Sequence, residues 1–116
     1  MKGLSHYEKE ERAWGNFERF TLNEQTTVKI LTIKSGEALS LQQHKHRDEF
    51  GRVLKGSAVV RIANAETDVH NKDTFFIPRN TTHRITAHEE FVYLEISFGN
   101  FDEDDEQRIE DNYGRV

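Results

Sequence analysis

The sequence predicts an all-β protein, folded as one antiparallel jelly roll or barrel. Residues 26–98 consist of short runs with β-type composition, and no long apolar repeat at helical spacing occurs among them. Gly, Asn, Asp and Pro separate these runs, as turns between strands require. A length of 116 residues suits a single domain. About eight short strands at this spacing are typical of a sandwich, jelly roll or barrel.

The elements follow in chain order. Residues 1–25 are predicted to be an N-terminal arm, because the run over residues 5–14 is too short and too charged for a core helix. Residues 26–116 are predicted to form the barrel with an acidic C-terminal segment. Asp102 suits a helix N-cap, and acids follow it, so a short C-terminal helix through about Ile109 is expected. The predicted strands are 27–33, 39–46, 52–54, 58–62, 67–70, 74–77, 83–86 and 91–98.

Composition and charge exclude several classes of partner. The net charge of −5 comes from residues 102–116, which hold seven acids and two arginines. The remaining residues are balanced and form no basic stripe, so no nucleic-acid partner is expected. No apolar run approaches the length of a membrane helix, and the N-terminus is too polar for a secretory signal, so we expect a cytoplasmic protein with no membrane partner.

The histidines indicate where chemistry occurs. The chain has no cysteine, so a metal would have to be held by His, Asp or Glu. His44 and His46 alternate with Lys45 and would therefore share one face of a strand with Gln42. Glu49 follows closely, and His83 comes 34 residues after it. Although such a histidine pair is often structural, this set suits one divalent transition metal, namely zinc, manganese, cobalt, nickel or iron.

These residues resemble the two motifs of the cupin superfamily. The first motif corresponds to Gly36, His44, His46, Glu49 and Gly56, and the second to Asp73, Ile77, Pro78 and His83. Asn80 stands where the second motif usually has glycine, and Asn tolerates the left-handed conformation better than most residues. The resemblance implies a cupin-type double-stranded β-helix barrel with His44, His46, Glu49 and His83 as metal ligands.

Within the cupins, the chain resembles the cupin domain of type II mannose-6-phosphate isomerases. Three stretches carry this likeness: Ala13-Trp14-Gly15, residues 41–51, and residues 109–115, which include Tyr113-Gly114-Arg115. The likeness implies isomerisation of mannose 6-phosphate to fructose 6-phosphate. The guanylyltransferase part of such fusions is not in this sequence, so no GDP-mannose synthesis is expected. Phe50 and Gly51 replace the family's His-Trp pair beside Glu49, and we expect this change to alter substrate fit.

The resemblance leaves some roles open. An aldose–ketose isomerase needs a base, for which Glu49 or His83 are the catalytic candidates. Gln42 is either a fourth ligand or a substrate-binding residue. A phosphate group would bind to arginines, with Arg47, Arg79 and Arg115 as candidates.

Other functions and an oligomeric state also follow from the sequence. The competing functions are another metal-dependent cupin enzyme, such as a small dioxygenase, and a non-catalytic sugar-binding cupin. The aromatic N-terminal arm suits covering an edge strand, so a homodimer is expected.

Overall fold

The computed structural model describes residues 1–114, and these residues contain strands, turns and one 3-10 helix but no α-helix. None of them therefore forms a helix that could span a membrane. The 3-10 helix covers Glu103–Asp105. The strands are β1 (Glu8–Arg12), β2 (Gly15–Arg19), β3 (Thr26–Ile33), β4 (Leu41–Gln43), β5 (Arg47–Lys55), β6 (Ala58–Ile62), β7 (Ala65–Val69), β8 (Thr74–Ile77), β9 (His83–Ala87), β10 (Phe91–Gly99) and β11 (Gln107–Glu110).

Two antiparallel sheets form the barrel, which confirms the predicted fold class. One sheet has four strands in the order β3-β10-β5-β8, and the other has five in the order β11-β4-β9-β6-β7. Side chains from both sheets meet between them in an apolar core that includes Val53, Val60, Ile85 and Tyr93. The core fills one end of the barrel, and polar side chains occupy the other end.

A second apolar cluster covers the outer face of the four-stranded sheet. Since successive residues of a strand point to opposite faces, Phe50 and Ile96 point away from the barrel interior. Leu4 from the N-terminal segment is buried against them, and Phe20 packs its ring 5.8 Å from that of Phe50. The N-terminal segment therefore covers part of a face that would otherwise be exposed to water.

Within the first 25 residues, β1 and β2 form a hairpin that pairs with no other strand. Trp14 at its turn is 74% exposed. The base of the hairpin is tied to the barrel by Glu18, which accepts two hydrogen bonds from Arg52, at 2.8 and 3.1 Å, and one from Tyr7. These bonds, led by those from Arg52, lower the pKa of Glu18 to about 2.

The predicted C-terminal helix is not present. Asp102 does cap a turn, because its carboxylate accepts a hydrogen bond from the Asp104 N–H at 3.0 Å, but this 3-10 turn ends at Asp105. The chain then becomes β11 and pairs with β4, with Gln107 opposite Gln43. Pairing with an available sheet edge therefore prevails over the local helical signal.

Candidate metal centre

Three buried side chains meet at the polar end of the barrel. His44 follows β4, Glu49 lies on β5, and His83 begins β9. Glu49 Oε1 is 3.1 Å from His44 Nε2 and 3.5 Å from His83 Nε2. One nitrogen or oxygen atom from each residue lies within 4.8 Å of the others, which is the arrangement expected of ligands to a single ion.

A backbone hydrogen bond joins the segments that carry the two histidines. The Asn80 N–H donates to the His44 carbonyl oxygen at 2.6 Å. Asn80 has a φ of +60°, the left-handed conformation in which Asn replaces glycine at little cost. The substitution at this motif position is therefore compatible with the turn that leads to His83.

The hydrogen bonds of His83 indicate that a cation fits this cluster. Its Nδ1 lies 3.0 Å from the Thr81 carbonyl oxygen, which can only accept, so the ring proton resides on Nδ1. Nε2 then presents a lone pair towards a carboxylate oxygen, is buried, and has no hydrogen-bond partner among the described residues. Burial also lowers the pKa of His83, which favours this neutral form. A divalent transition metal bound by His83 Nε2 and the Glu49 oxygen would remove the repulsion between the lone pairs of these two atoms. A hydrogen bond from the other ring nitrogen to a backbone carbonyl, as from His83 Nδ1 to Thr81, is typical of metal-binding histidines.

The charge of Glu49 suits the same role. Burial opposes its ionisation, but the hydrogen bond with His44 and the electrostatic influence of His44, His83 and Arg47 lower its pKa to about 2. Its second oxygen lies 3.5 Å from Arg47 Nε and 3.5 Å from Ser97 Oγ. Glu49 is therefore an ionised, anchored carboxylate at neutral pH.

His46 does not join the cluster, in contrast to the sequence expectation. β4 ends at Gln43, so the alternation that was expected to place His46 beside His44 does not continue. The Asp105 carboxylate accepts hydrogen bonds from the backbone N–H groups of Lys45, at 3.1 Å, and His46, at 2.9 Å. This interaction holds residues 44–46 in a bend that leaves His46 exposed.

Arg47 occupies the inward position next to the cluster. It is 3% exposed, and its Nη2 lies 3.5 Å from His44 Nε2. Its guanidinium also donates to the Asp102 carbonyl oxygen at 3.0 Å and lies 4.5 Å from the centre of the Phe101 ring. These contacts fix Arg47 as a buried cation beside the histidines.

The cluster opens into a cavity of about 210 Å³ between the two sheets. Sequence reasoning missed four charged residues in its wall, which are Lys29, Glu95, Glu106 and Arg108. Lys29 and Glu95 stand opposite each other on β3 and β10. Burial, followed by the charge of Glu49, raises the pKa of Glu95 to about 8, which places its titration near neutrality. Lys29 and Glu95 could have been found from the sequence, because each is a charged residue among the inward residues of an otherwise apolar strand.

The structure separates the other predicted substrate-binding residues. Gln42 lines the cavity, with its amide 3.0 Å from Ser40 Oγ and 2.7 Å from a Glu106 carboxylate oxygen. Arg79 is not part of the cavity wall: it is largely exposed, and it pairs with Asp48 at 3.3 Å. Arg115 lies outside the described residues.

Phe50 and Gly51, the pair expected to alter substrate fit, lie on opposite faces of β5. Phe50 belongs to the outer apolar cluster and does not line the cavity beside Glu49. Gly51 faces inward, but a Cβ atom there would lie 2.2 Å from the ring of Phe75. The Phe75 ring therefore fills the space that a larger side chain at position 51 would need.

Comparisons with known proteins agree with this geometry. The family described as mannose-6-phosphate isomerase C-terminal matches residues 2–111. Mannose-1-phosphate guanylyltransferase ManC of Salmonella typhimurium is 35% identical over 108 residues, which are 90% of this chain and 22% of that protein. Alginate biosynthesis protein AlgA of Pseudomonas aeruginosa is 33% identical over 108 residues, which are 90% of this chain and 22% of that protein. The chain thus spans less than a quarter of these relatives.

Solved structures share the fold. A mutant oxalate decarboxylase from Bacillus subtilis is similar with a TM-score of 0.69 and 26% identity, over 75% of this chain and 25% of that one. The capsular polysaccharide assembling protein CapF of Staphylococcus aureus has a TM-score of 0.64 and 19% identity, over 90% of this chain and 33% of that one. The second likeness concerns the fold alone.

Proposed function

Because the chain belongs to the mannose-6-phosphate isomerase C-terminal family and has the cupin fold, we propose that it interconverts the aldose and ketose forms of a hexose 6-phosphate. Mannose 6-phosphate and fructose 6-phosphate are the first pair to test. The observation that carries this proposal is the buried His83 Nε2, which has no hydrogen-bond partner among residues 1–114 and lies 3.5 Å from Glu49, a residue of the cavity wall.

Different residues of the chain would bind the metal and transfer the proton. His44, Glu49 and His83 would hold a divalent transition metal, which supplies Lewis acidity near the sugar carbonyl. Isomerisation moves the C2 hydrogen of the aldose to C1 and the O2 hydrogen to O1. We assign the carbon-to-carbon transfer to Glu95, because its carboxyl group lines the cavity and is not one of the three clustered ligands. Glu49 and His83, the bases considered from sequence, would serve instead as ligands.

The decisive experiment measures turnover and exchange together. Metal-depleted protein is reloaded with zinc, manganese, cobalt, nickel or iron and given mannose 6-phosphate, and fructose 6-phosphate is detected by a coupled assay. At least one metal should give conversion and exchange of the C2 hydrogen with deuterated solvent. Glu95→Gln should abolish both while keeping one bound ion per chain. Glu66→Gln, an exposed carboxylate on β7, is the matched control.

One observation favours a second function, a non-catalytic sugar-phosphate-binding cupin. The Arg47 guanidinium lies 3.5 Å from both Glu49 and His44, so a positive charge already stands beside the ligand atoms. Such a site could bind an anion without a metal. Protein that binds mannose 6-phosphate but neither converts it nor exchanges the C2 hydrogen with any metal would support this function over the isomerase.

We also propose that the protein is a cytoplasmic homodimer. β3 is one of the two edge strands of the four-stranded sheet in the described residues. Its outward residues Val28 and Ile30 are 56% and 64% exposed, which favours a second copy as the cover. Sedimentation at micromolar concentration should show the dimer, and a monomer would contradict this proposal.

A further inference from the structure

One row of side chains crosses the five-stranded sheet from the metal centre to the sheet edge. Gln42 on β4 stands opposite His83 on β9, and Arg108 on β11 stands opposite Gln42. Directly paired residues of neighbouring strands project from the same face. Since strands lie about 4.8 Å apart, Arg108 begins about 10 Å from His83 along this row.

Arg108 retains hydrogen-bonding capacity at that position. Its Nη2 pairs with Glu106 at 2.7 Å, but its Nε is buried and has no hydrogen-bond partner within residues 1–114. A guanidinium offers five N–H donors in a planar fork that matches the oxygens of a phosphate group. The cavity wall thus contains an arginine with an unused donor.

A second cation faces the same cavity from the opposite sheet. Lys29 lies on β3, which is also an edge strand, and its Nζ is 4.2 Å from the centre of the Phe101 ring. Lys29 and Arg108 both line the cavity. The edge strands β3 and β11 therefore bring two positive side chains to the cavity, where the carboxylates of Glu95 and Glu106 also lie, while His44, Glu49 and His83 lie on or next to the inner strands.

We propose that Arg108 and Lys29 bind the phosphate group of the substrate and so set the specificity for phosphorylated sugars. The inference rests on the proposed function for its ligand, a hexose phosphate. In an open-chain hexose 6-phosphate, the phosphate lies at the far end of the carbon chain from C1 and C2. His44, Glu49, Lys29 and Arg108 line one cavity, so a molecule that carries both a carbonyl group and a phosphate group can contact the proposed ligands and the two cations at once. This assignment replaces Arg79, whose partner Asp48 also lies outside the cavity wall.

The test compares binding of mannose 6-phosphate and mannose by calorimetry to the metal-loaded full chain. Arg108→Gln should weaken binding of mannose 6-phosphate at least tenfold and leave binding of mannose unchanged, while Arg108→Lys should fall between that variant and the parent. Lys29→Gln, on the other sheet, provides an independent variant. Arg61→Gln, on the outward face of β6, is the control and should change neither affinity. Metal content and thermal melting confirm that each variant is folded.

Several outcomes would overturn the assignment. They are unchanged affinity for mannose 6-phosphate in both Arg108→Gln and Lys29→Gln, an equal loss for mannose and mannose 6-phosphate, or a tenfold loss in Arg79→Gln instead. Absence of mannose 6-phosphate binding by the parent protein would also overturn it. If the binding results hold but no isomerisation occurs with any metal, the phosphate site stands and the isomerase proposal fails.

Discussion

Replacing Phe50 by alanine tests whether this side chain packs on the outer face of the four-stranded sheet or contributes to the metal centre on the inner face. Phe50 is 1% exposed and packs among Leu4, Phe20 and Ile96 on the outer face. Loss of the ring forfeits about 2–3 kcal/mol of transfer free energy, and the cavity that remains adds to this cost. The free energy of unfolding should therefore fall by about 3–5 kcal/mol. For a chain of this length, that corresponds to a melting temperature lower by about 10–20 °C.

The assay is denaturant unfolding of protein freed of metal with a chelator, because a bound ion would add its own stabilisation. Leu54→Ala is the control. It lies on the same strand and the same face but is 44% exposed, so its effect should stay within about 0.5 kcal/mol. Metal content after reloading should be unchanged in both variants. A Phe50→Ala protein of normal stability that fails to bind metal would refute the reasoning, because it would place the side chain at the metal centre.

The other predictions concern the metal centre and the hairpin. Elemental analysis should show that His44→Ala loses the bound ion and His46→Ala keeps it. Asp105→Asn should weaken metal affinity about tenfold in a chelator competition, because it loosens the bend after His44, whereas Asp104→Asn should not. Glu18 has a depressed pKa, so its contribution to stability is complete above about pH 4.5 and is lost as the pH falls towards 2. Glu18→Gln should therefore lose stability at pH 6 and show a weaker decline towards pH 3; an unchanged decline would contradict this.

The sequence predicted best the bounds of those strands that have turn residues at both ends. The bounds of β6 and β8 equal the predicted runs, 58–62 and 74–77, because turn residues flank them on both sides. β5 begins at Arg47, well before the predicted start at residue 52, because its polar first half pairs with β10 and β8. Such pairing is a long-range property that no local window of the sequence displays.

The site residues likewise divide into those indicated by local sequence motifs and those positioned by long-range contacts. His44, Glu49 and His83 were predictable, because their spacing follows two known motifs. His46 was misplaced because its position depends on a carboxylate far along the chain. Lys29 and Glu95 carried a weak signal as charges on inward strand faces. Arg108 carried none, because its segment was expected to be helical and only the pairing of β11 with β4 turns it towards the cavity.

The late position of Asp105 in the chain affects the order in which the protein is completed during synthesis. Its carboxylate binds the backbone of Lys45, 60 residues earlier. A growing chain therefore passes through a stage at which all three proposed metal ligands have been made while Asp105, which binds the backbone after His44, has not. Arg108 is translated later still. The ribosome thus delivers the three proposed ligands first, and residues 105–108 then add the Asp105 carboxylate and Arg108.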